Sequence, residues 1–147
     1  MNLNGVLGDA EKFRFVRSHH PGLARQCRMD IFRVFHLQCA RRLPALPASH
    51  PCSRVHGHSF QVELTLGGEL DPALGWVVDF ADIGRAWQPV HEALDHRYLN
   101  DIDGLDNPTS ERLAIWLWHR LKPDLPGLSQ IRVMETHDAG CVYRGPA

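Results

Sequence analysis

Apolar and polar side chains alternate most clearly in the segment HSFQVELTL, residues 58–66. Phe60, Val62, Leu64 and Leu66 are apolar, and the residues between them are polar. A period of two puts the apolar residues on one face, so the segment predicts a half-buried strand. Segments rich in β-branched, aromatic and other strand-forming residues predict further strands at 31–39, 131–135 and 141–143, with a short one at 76–79.

Two segments have the helical period instead. Ile83, Trp87, Val90 and Leu94 recur at i, i+4, i+7 and i+11, and Pro89 between them predicts a kink or an irregular early part. The second apolar stripe consists of Leu113, Trp116, Leu117 and Leu121. Asn107-Pro108 resembles an N-cap and a first helical residue, and Pro123 and Pro126 end the pattern. The order of elements predicts an α+β fold with an antiparallel sheet.

Residues 1–29 follow neither period and predict a poorly ordered N-terminal extension. Residues 30–147 then form a single domain, which suits a chain of 147 residues. Met29 offers an alternative start of translation.

Composition removes several classes of function. The net charge of −1, from 16 basic and 17 acidic residues, does not favour nucleic acid as a partner. No apolar run approaches the roughly 20 residues that cross a bilayer, and no secretory signal is evident. Four cysteines without a CxxC pair predict free thiols, so we expect a cytoplasmic protein that binds no membrane.

The ten histidines direct attention to metal and proton chemistry. His56 and His58 lie two apart at the start of the predicted strand, so both imidazoles can bind one metal ion. Cys52, four residues upstream, is a candidate base or nucleophile. The alternative interpretation is two exposed histidines and an inert loop cysteine.

Two acidic residues are candidates for the same chemistry. Asp95 can orient His96 for proton relay, although the pair also suits a helix C-terminus. Glu135 either faces solvent or accepts two N–H donors from the edge of a planar ring.

The chain resembles the 6-pyruvoyl-tetrahydropterin synthase superfamily, and within it the bacterial 6-carboxytetrahydropterin synthases of queuosine (7-deazaguanine) biosynthesis. The resemblance depends on five ordered segments: RRLPALPASHPCSRVHGHSF, GWVVDFADI, LDHRYLND, NPTSE and METHDAGCVYRG. It implies the tunnelling fold, in which two helices pack on one face of a four-stranded antiparallel sheet. It also implies a homohexamer, a dimer of trimers with active sites between subunits.

The resemblance implies a lyase that converts 7,8-dihydroneopterin triphosphate to 6-carboxytetrahydropterin, acetaldehyde and triphosphate. Cys52 matches the proton acceptor, and His96 and Glu135, with Asp95 beside His96, match the charge relay. Glu135 also matches the residue that anchors the pterin ring, and Thr109 and Ser110 match residues of the pterin pocket. His56 and His58 match two zinc ligands.

One position departs from the family pattern. Arg41 stands where the segment A-H-R-L-P has its first zinc-ligating histidine, and arginine is not expected to bind zinc. Cys39 and His50 are possible substitutes, and a metal-free site in which Arg41 holds triphosphate is another alternative. The functions left open are the lyase, a 6-pyruvoyl-tetrahydropterin synthase that keeps the side chain, and a pterin-binding paralogue without turnover.

Overall fold

Residues 28–147, which the computed structural model describes, contain four strands and two α-helices. The strands are β1 (Arg28–Arg41), β2 (His56–Glu69), β3 (Leu128–Met134) and β4 (Gly140–Tyr143), and the helices are α1 (Phe80–Leu94) and α2 (Ser110–Leu121). Strand β1 begins at Arg28, two residues before the predicted domain. The predicted extension before Arg28 lies outside the described residues.

The strands of the described chain form one antiparallel sheet in the order β1-β2-β3-β4. β1 and β2 make a long hairpin whose register pairs Arg28 with Glu69 at one end and Arg41 with His56 at the other. The expected α+β fold, with an antiparallel four-stranded sheet, is therefore confirmed. The Pro-rich segment between β1 and β2 lies at the Arg41 end of the hairpin.

Both helices pack on one face of the sheet. Phe35 of β1 stacks on Trp87 of α1 with ring centroids 4.5 Å apart, and Trp118 of α2 meets Tyr143 of β4 edge to face. The apolar stripes predicted from the sequence are buried at these contacts, where they remove apolar surface from water. Neither helix of residues 28–147 is long and apolar enough to span a membrane.

Toward the Arg41 end of the hairpin, the sheet face away from the helices is polar along β1 and β2. His36, Gln38, Ser59 and Gln61 are exposed there and form cross-strand pairs. The alternation predicted for β2 is confirmed, because Phe60, like the other apolar residues of the pattern, is buried on the helix side.

Two local expectations are wrong, those for the strand at 76–79 and for the N-cap of α2. The predicted strand at 76–79 is a bend that leads into α1, where the Asp71 backbone N–H donates to the Trp76 carbonyl and Asp79 caps the helix. Helix α1 is continuous from Phe80 through Pro89 to Leu94, with four buried apolar residues along its inner face. The N-cap of α2 is Thr109, whose hydroxyl accepts from the Arg112 N–H, and not Asn107.

Candidate functional site

The candidate residues gather where the β1–β2 hairpin, the end of β3 and the start of α2 meet. Arg41, His58, Ser110 and Glu135 are joined there by hydrogen bonds or close charge contacts, and we call them the Arg41 cluster. Glu135 follows directly after β3 and Ser110 begins α2. The tertiary structure thus brings together residues up to 94 positions apart in the chain.

Arg41 is the centre of this cluster and is almost fully buried, with 2% of its surface exposed. One terminal nitrogen donates to the Pro108 carbonyl at 2.8 Å. The other donates to Glu135 Oε1 at 2.6 Å and contacts His58 Nε2 at 3.2 Å. The guanidinium also lies over the Phe60 ring, 5.1 Å from its centroid. A buried arginine needs such compensation, because an unpaired charge in the interior is costly.

The carboxylate of Glu135 is oriented by two donors on the same oxygen, the Ser110 hydroxyl and Arg41. Partial burial by itself raises the pKa of Glu135. The hydrogen bonds from Ser110 and Arg41 and the Arg41 charge outweigh burial and bring the pKa below its ordinary value. Glu135 is therefore an ionised carboxylate near neutral pH, and its side chain is 29% exposed.

The two histidines of the HxH motif differ in what holds them. His56 Nδ1 donates to the Arg54 carbonyl, 2.8 Å away, because a carbonyl oxygen only accepts. Its Nε2 is buried without a hydrogen-bond partner among residues 28–147. His58 Nε2 faces the donor-only guanidinium of Arg41, and burial together with this charge lowers the pKa of His58. The lowered pKa favours the neutral form of the His58 ring.

This donor set does not fit a zinc site with three protein ligands. The two imidazoles supply suitable nitrogens, but the Arg41 guanidinium already contacts the Nε2 of His58. Arg41 itself occupies the third position, and no group of three His, Cys, Asp or Glu residues in the described part of the chain is arranged to hold a metal ion. The predicted zinc cofactor therefore stays a prediction of the family resemblance.

The two possible substitute ligands are engaged elsewhere. Cys39 lies on the same face of β1 as Arg41, as its position predicts, but its thiol contacts the Leu94 carbonyl at 3.3 Å. Burial, and after it the Asp95 charge, raises the pKa of Cys39 to about 12, so it stays a protonated thiol. His50 Nδ1 accepts from the Cys52 backbone N–H.

A second group lies beside the outer edge of β1, and we call Asp95 and His96 the His96 dyad. Asp95 Oδ2 accepts from His96 Nδ1 at 2.7 Å, while Asp95 Oδ1 accepts from the Gln38 backbone N–H at 2.8 Å. The Gln38 hydrogen bond, followed by that from His96, lowers the pKa of Asp95 despite some desolvation. The other ring nitrogen of His96, Nε2, belongs to a side chain that is 79% exposed.

His96 also has the left-handed backbone conformation, with φ of 57°. This conformation is unfavourable for residues other than glycine and concentrates at functional sites. Its backbone N–H donates to the Gln38 carbonyl at 2.6 Å, which fixes the dyad against β1. Asp95 ends α1 as its C-cap, in agreement with the prediction that this pair lies at the helix C-terminus.

Cys52 and Thr109 lie apart from these hydrogen bonds. Cys52 is half-buried in the single turn Pro51–Ser53, and no hydrogen bond within residues 28–147 joins its Sγ to His96. Thr109 caps α2 beside Ser110. The structure thus brings Ser110, His58 and Glu135 together, and Asp95 with His96. It joins neither Cys52 nor His56 to these groups by a hydrogen bond within the described residues.

Sequence reasoning did not identify the ion pair between Arg41 and Glu135. A signal was present, because Arg41 has the strand parity of the buried Leu37 and Cys39. A cation at a buried position needs a carboxylate partner, and this requirement favours an acidic residue near the end of a neighbouring strand. Gln38 holds Asp95 and His96 through its backbone N–H and carbonyl. Its residue type therefore could not predict this role.

Comparisons with known proteins agree with this architecture. A family model described as 6-pyruvoyl tetrahydropterin synthase matches residues 30–146. A 6-carboxy-5,6,7,8-tetrahydropterin synthase of Synechocystis is 34% identical over 122 residues, covering 79% of this chain and 93% of the relative. A dihydroneopterin monophosphate aldolase of Pyrococcus furiosus is 37% identical over 89 residues, covering 58% and 75% respectively.

Solved structures give the same result. The 6-pyruvoyl tetrahydropterin synthase of Caenorhabditis elegans superposes with a TM-score of 0.77 at 28% identity, covering 83% of this chain and 99% of that one. The matched residues include every strand of the described sheet except the first two residues of β1. The chain therefore belongs to the 6-pyruvoyl tetrahydropterin synthase family.

Proposed function

We propose that this protein is a lyase that acts on 7,8-dihydroneopterin triphosphate. It consumes one water molecule and forms 6-carboxytetrahydropterin, acetaldehyde and triphosphate, as a step of queuosine (7-deazaguanine) biosynthesis. Two kinds of group support the proposal: an ionised and oriented carboxylate, Glu135, and a histidine, His96, that is oriented by an aspartate. The similarity to the Synechocystis relative, a 6-carboxy-5,6,7,8-tetrahydropterin synthase, also supports this reaction.

Glu135 is proposed to hold the pterin ring. A carboxylate binds two N–H groups of a planar ring edge well, because its two oxygens match their spacing. Arg41 and Ser110 both donate to Oε1, so this oxygen is fixed in position while the side chain remains partly exposed. A ring bound here receives a preorganised acceptor, which reduces the entropy lost on binding.

His96 and Cys52 are proposed to move protons on the side-chain carbons. With Nδ1–H donated to Asp95, the basic Nε2 of His96 is available to take a proton. Asp95 then stabilises the imidazolium that forms, since its own carboxylate stays ionised. Cys52 is proposed as the acceptor for the other transfer, which requires its thiolate form. Thr109, beside Ser110, is proposed to line the pterin pocket.

Incubation of the purified chain with 7,8-dihydroneopterin triphosphate tests the proposal. Pterins are separated by chromatography and acetaldehyde is trapped as a hydrazone. Release of acetaldehyde together with 6-carboxytetrahydropterin is the expected result. Formation of 6-pyruvoyl-tetrahydropterin without acetaldehyde would instead identify the alternative synthase, a reaction supported by the similarity to the Caenorhabditis elegans enzyme.

A third candidate is a pterin-binding paralogue without turnover. The observation that favours it is Arg41 at the position where the family pattern has a zinc-ligating histidine. Binding of a pterin that is lost in Glu135→Ala, with no product from any substrate in the presence of zinc, would support it.

The proposal includes a homohexamer, a dimer of trimers. Among residues 28–147, β1 and β4 each pair with a strand on one side only, and residues 96–98 cover the outer edge of β1 near Gln38 and Ala40. The remainder of these two sheet edges can extend across subunits. Light scattering after size-exclusion chromatography measures the assembly. A monomer at micromolar concentration would contradict this part of the proposal.

A further inference from the structure

The Arg41 guanidinium lies on the nitrogen that a metal ion would need. Its terminal nitrogen is 3.2 Å from His58 Nε2 and 2.6 Å from Glu135 Oε1. Zinc binds an imidazole through the lone pair of the ring nitrogen at roughly 2.0–2.1 Å. At His58 this lone pair faces an N–H donor, so the guanidinium and a metal ion cannot use the same nitrogen together.

Charge acts in the same direction as geometry. Arginine stays protonated at any pH at which proteins fold, and Arg41 is almost completely shielded from water. Glu135 supplies the negative charge that balances it. A divalent cation at His58 Nε2 would lie next to this fixed positive charge, which disfavours its binding.

The guanidinium is also held in place, so it does not simply move aside. The Pro108 carbonyl accepts from its other terminal nitrogen, and the Phe60 ring packs against its face. Leaving the interior would break these contacts and leave Glu135 without its cationic partner.

We propose that the Arg41 guanidinium is the resident cation of this site, in the place of a divalent metal ion. The site therefore excludes zinc, and its charge balance depends on the ion pair between Arg41 and Glu135. The exclusion of zinc does not depend on the proposed function. The further statement that turnover proceeds without a metal rests on the proposed function as well.

The same geometry indicates how a metal site could be restored. Position 41 is directly opposite His56 in the strand register, and position 39 is opposite His58. His56 Nε2 is buried and has no partner among residues 28–147. A histidine at position 41 would remove the blocking cation and add a third imidazole on the same face of the hairpin, a set that suits zinc.

The test is a count of bound zinc that needs no turnover. The full chain without an affinity tag is stripped with chelator, incubated with zinc, desalted and analysed by elemental mass spectrometry. We expect Arg41→His to retain about one zinc per chain and the unaltered protein less than about 0.1 at this site. Arg42→His is the matched control, since it adds a histidine at the neighbouring exposed position and should match the unaltered protein.

His58→Ala separates the site from surface histidines. Zinc that is retained by the unaltered protein and lost in His58→Ala, at about one per chain, would overturn the proposal. Zinc that persists in His58→Ala is bound elsewhere and leaves this site metal-free, as proposed. Because the unaltered chain alone can give the contrary result, the test holds even if Arg41→His does not fold. Failure of the pterin assay would not change the zinc count.

Discussion

The Arg41 cluster and the His96 dyad lie at the same end of the sheet but differ in how far water reaches them. Arg41 has 2% of its surface exposed and shares hydrogen bonds with several elements. The His96 side chain is 79% exposed, and among residues 28–147 its ring hydrogen-bonds to Asp95. The buried group can fix a ligand in one orientation. The exposed group can exchange a proton with a substrate or with water. The difference suits the proposed roles of Glu135 in binding and of His96 in proton transfer.

Removing the carboxylate of the buried group should have the largest effect. Glu135→Ala leaves the Arg41 charge buried without its partner, and we expect the free energy of unfolding to fall by about 3 kcal/mol. Urea denaturation followed by tryptophan fluorescence measures this loss. Glu135→Gln, which keeps an oxygen acceptor, should lose less.

A double substitution sharpens this prediction. Arg41→Met combined with Glu135→Ala removes both charges, so it should be more stable than Glu135→Ala alone. If Glu135→Ala were as stable as the unaltered chain, the ion pair would have no structural role.

Removing the imidazole of the exposed group should affect turnover and leave stability unchanged. His96→Asn keeps a residue type that tolerates the left-handed backbone but has no base, so we expect the turnover number to fall about 100-fold. The matched control is His91→Ala, which removes the other histidine near Asp95, with Nε2 3.6 Å from the same oxygen. Equal turnover losses in both variants would argue against a specific role for His96.

Removing the hydroxyl of Ser110 should have a smaller effect on stability and tests the difference between buried and exposed hydrogen bonds. Ser110→Ala removes a donor to the ionised Glu135 and should cost about 1.5 kcal/mol in the free energy of unfolding. Ser59→Ala removes an exposed hydroxyl that donates to Gln38 Oε1, and should cost less than about 0.5 kcal/mol. Similar losses in both variants would remove the distinction between buried and exposed hydrogen bonds.

The smallest expected effect concerns pH. The pKa of Asp95 is lower in the folded protein than in the unfolded chain, chiefly because of the Gln38 hydrogen bond. The stability from this group is therefore complete above the unfolded pKa and is lost as pH falls through the folded pKa. Unfolding free energies between about pH 6 and pH 3 should fall less steeply in Asp95→Asn than in the unaltered chain. An unchanged slope would contradict the assignment.

Local patterns were enough to predict the strands and helices whose apolar faces are buried. The alternation from Phe60 to Leu66 and the stripe from Ile83 to Leu94 both lie where the core requires them. The wrong expectations involve segments without such a face. Residues 76–79 have strand-forming side chains, but the turn hydrogen bonds of Asp71 and the cap at Asp79 determine their conformation.

The candidate site was predicted only in part, for a related reason. Strand parity predicted that His56 and His58 share a face and that Cys39 lies on the same face of β1 as Arg41. It could not show that Cys39 would contact Leu94, or that Glu135 would bind Ser110 and Arg41. Those partners are distant in the sequence, and their contacts depend on how the helices and β3 pack.

The sequence by itself determined the family, the antiparallel α+β architecture and the unusual arginine at position 41. These follow from residue order and from local periodicity, which act over a few residues. Only the tertiary structure decided what Arg41 does, because the effect of its charge depends on which groups surround it. Packing buries the guanidinium, and a buried cation must bind an anion, so Glu135 of a distant segment becomes its partner.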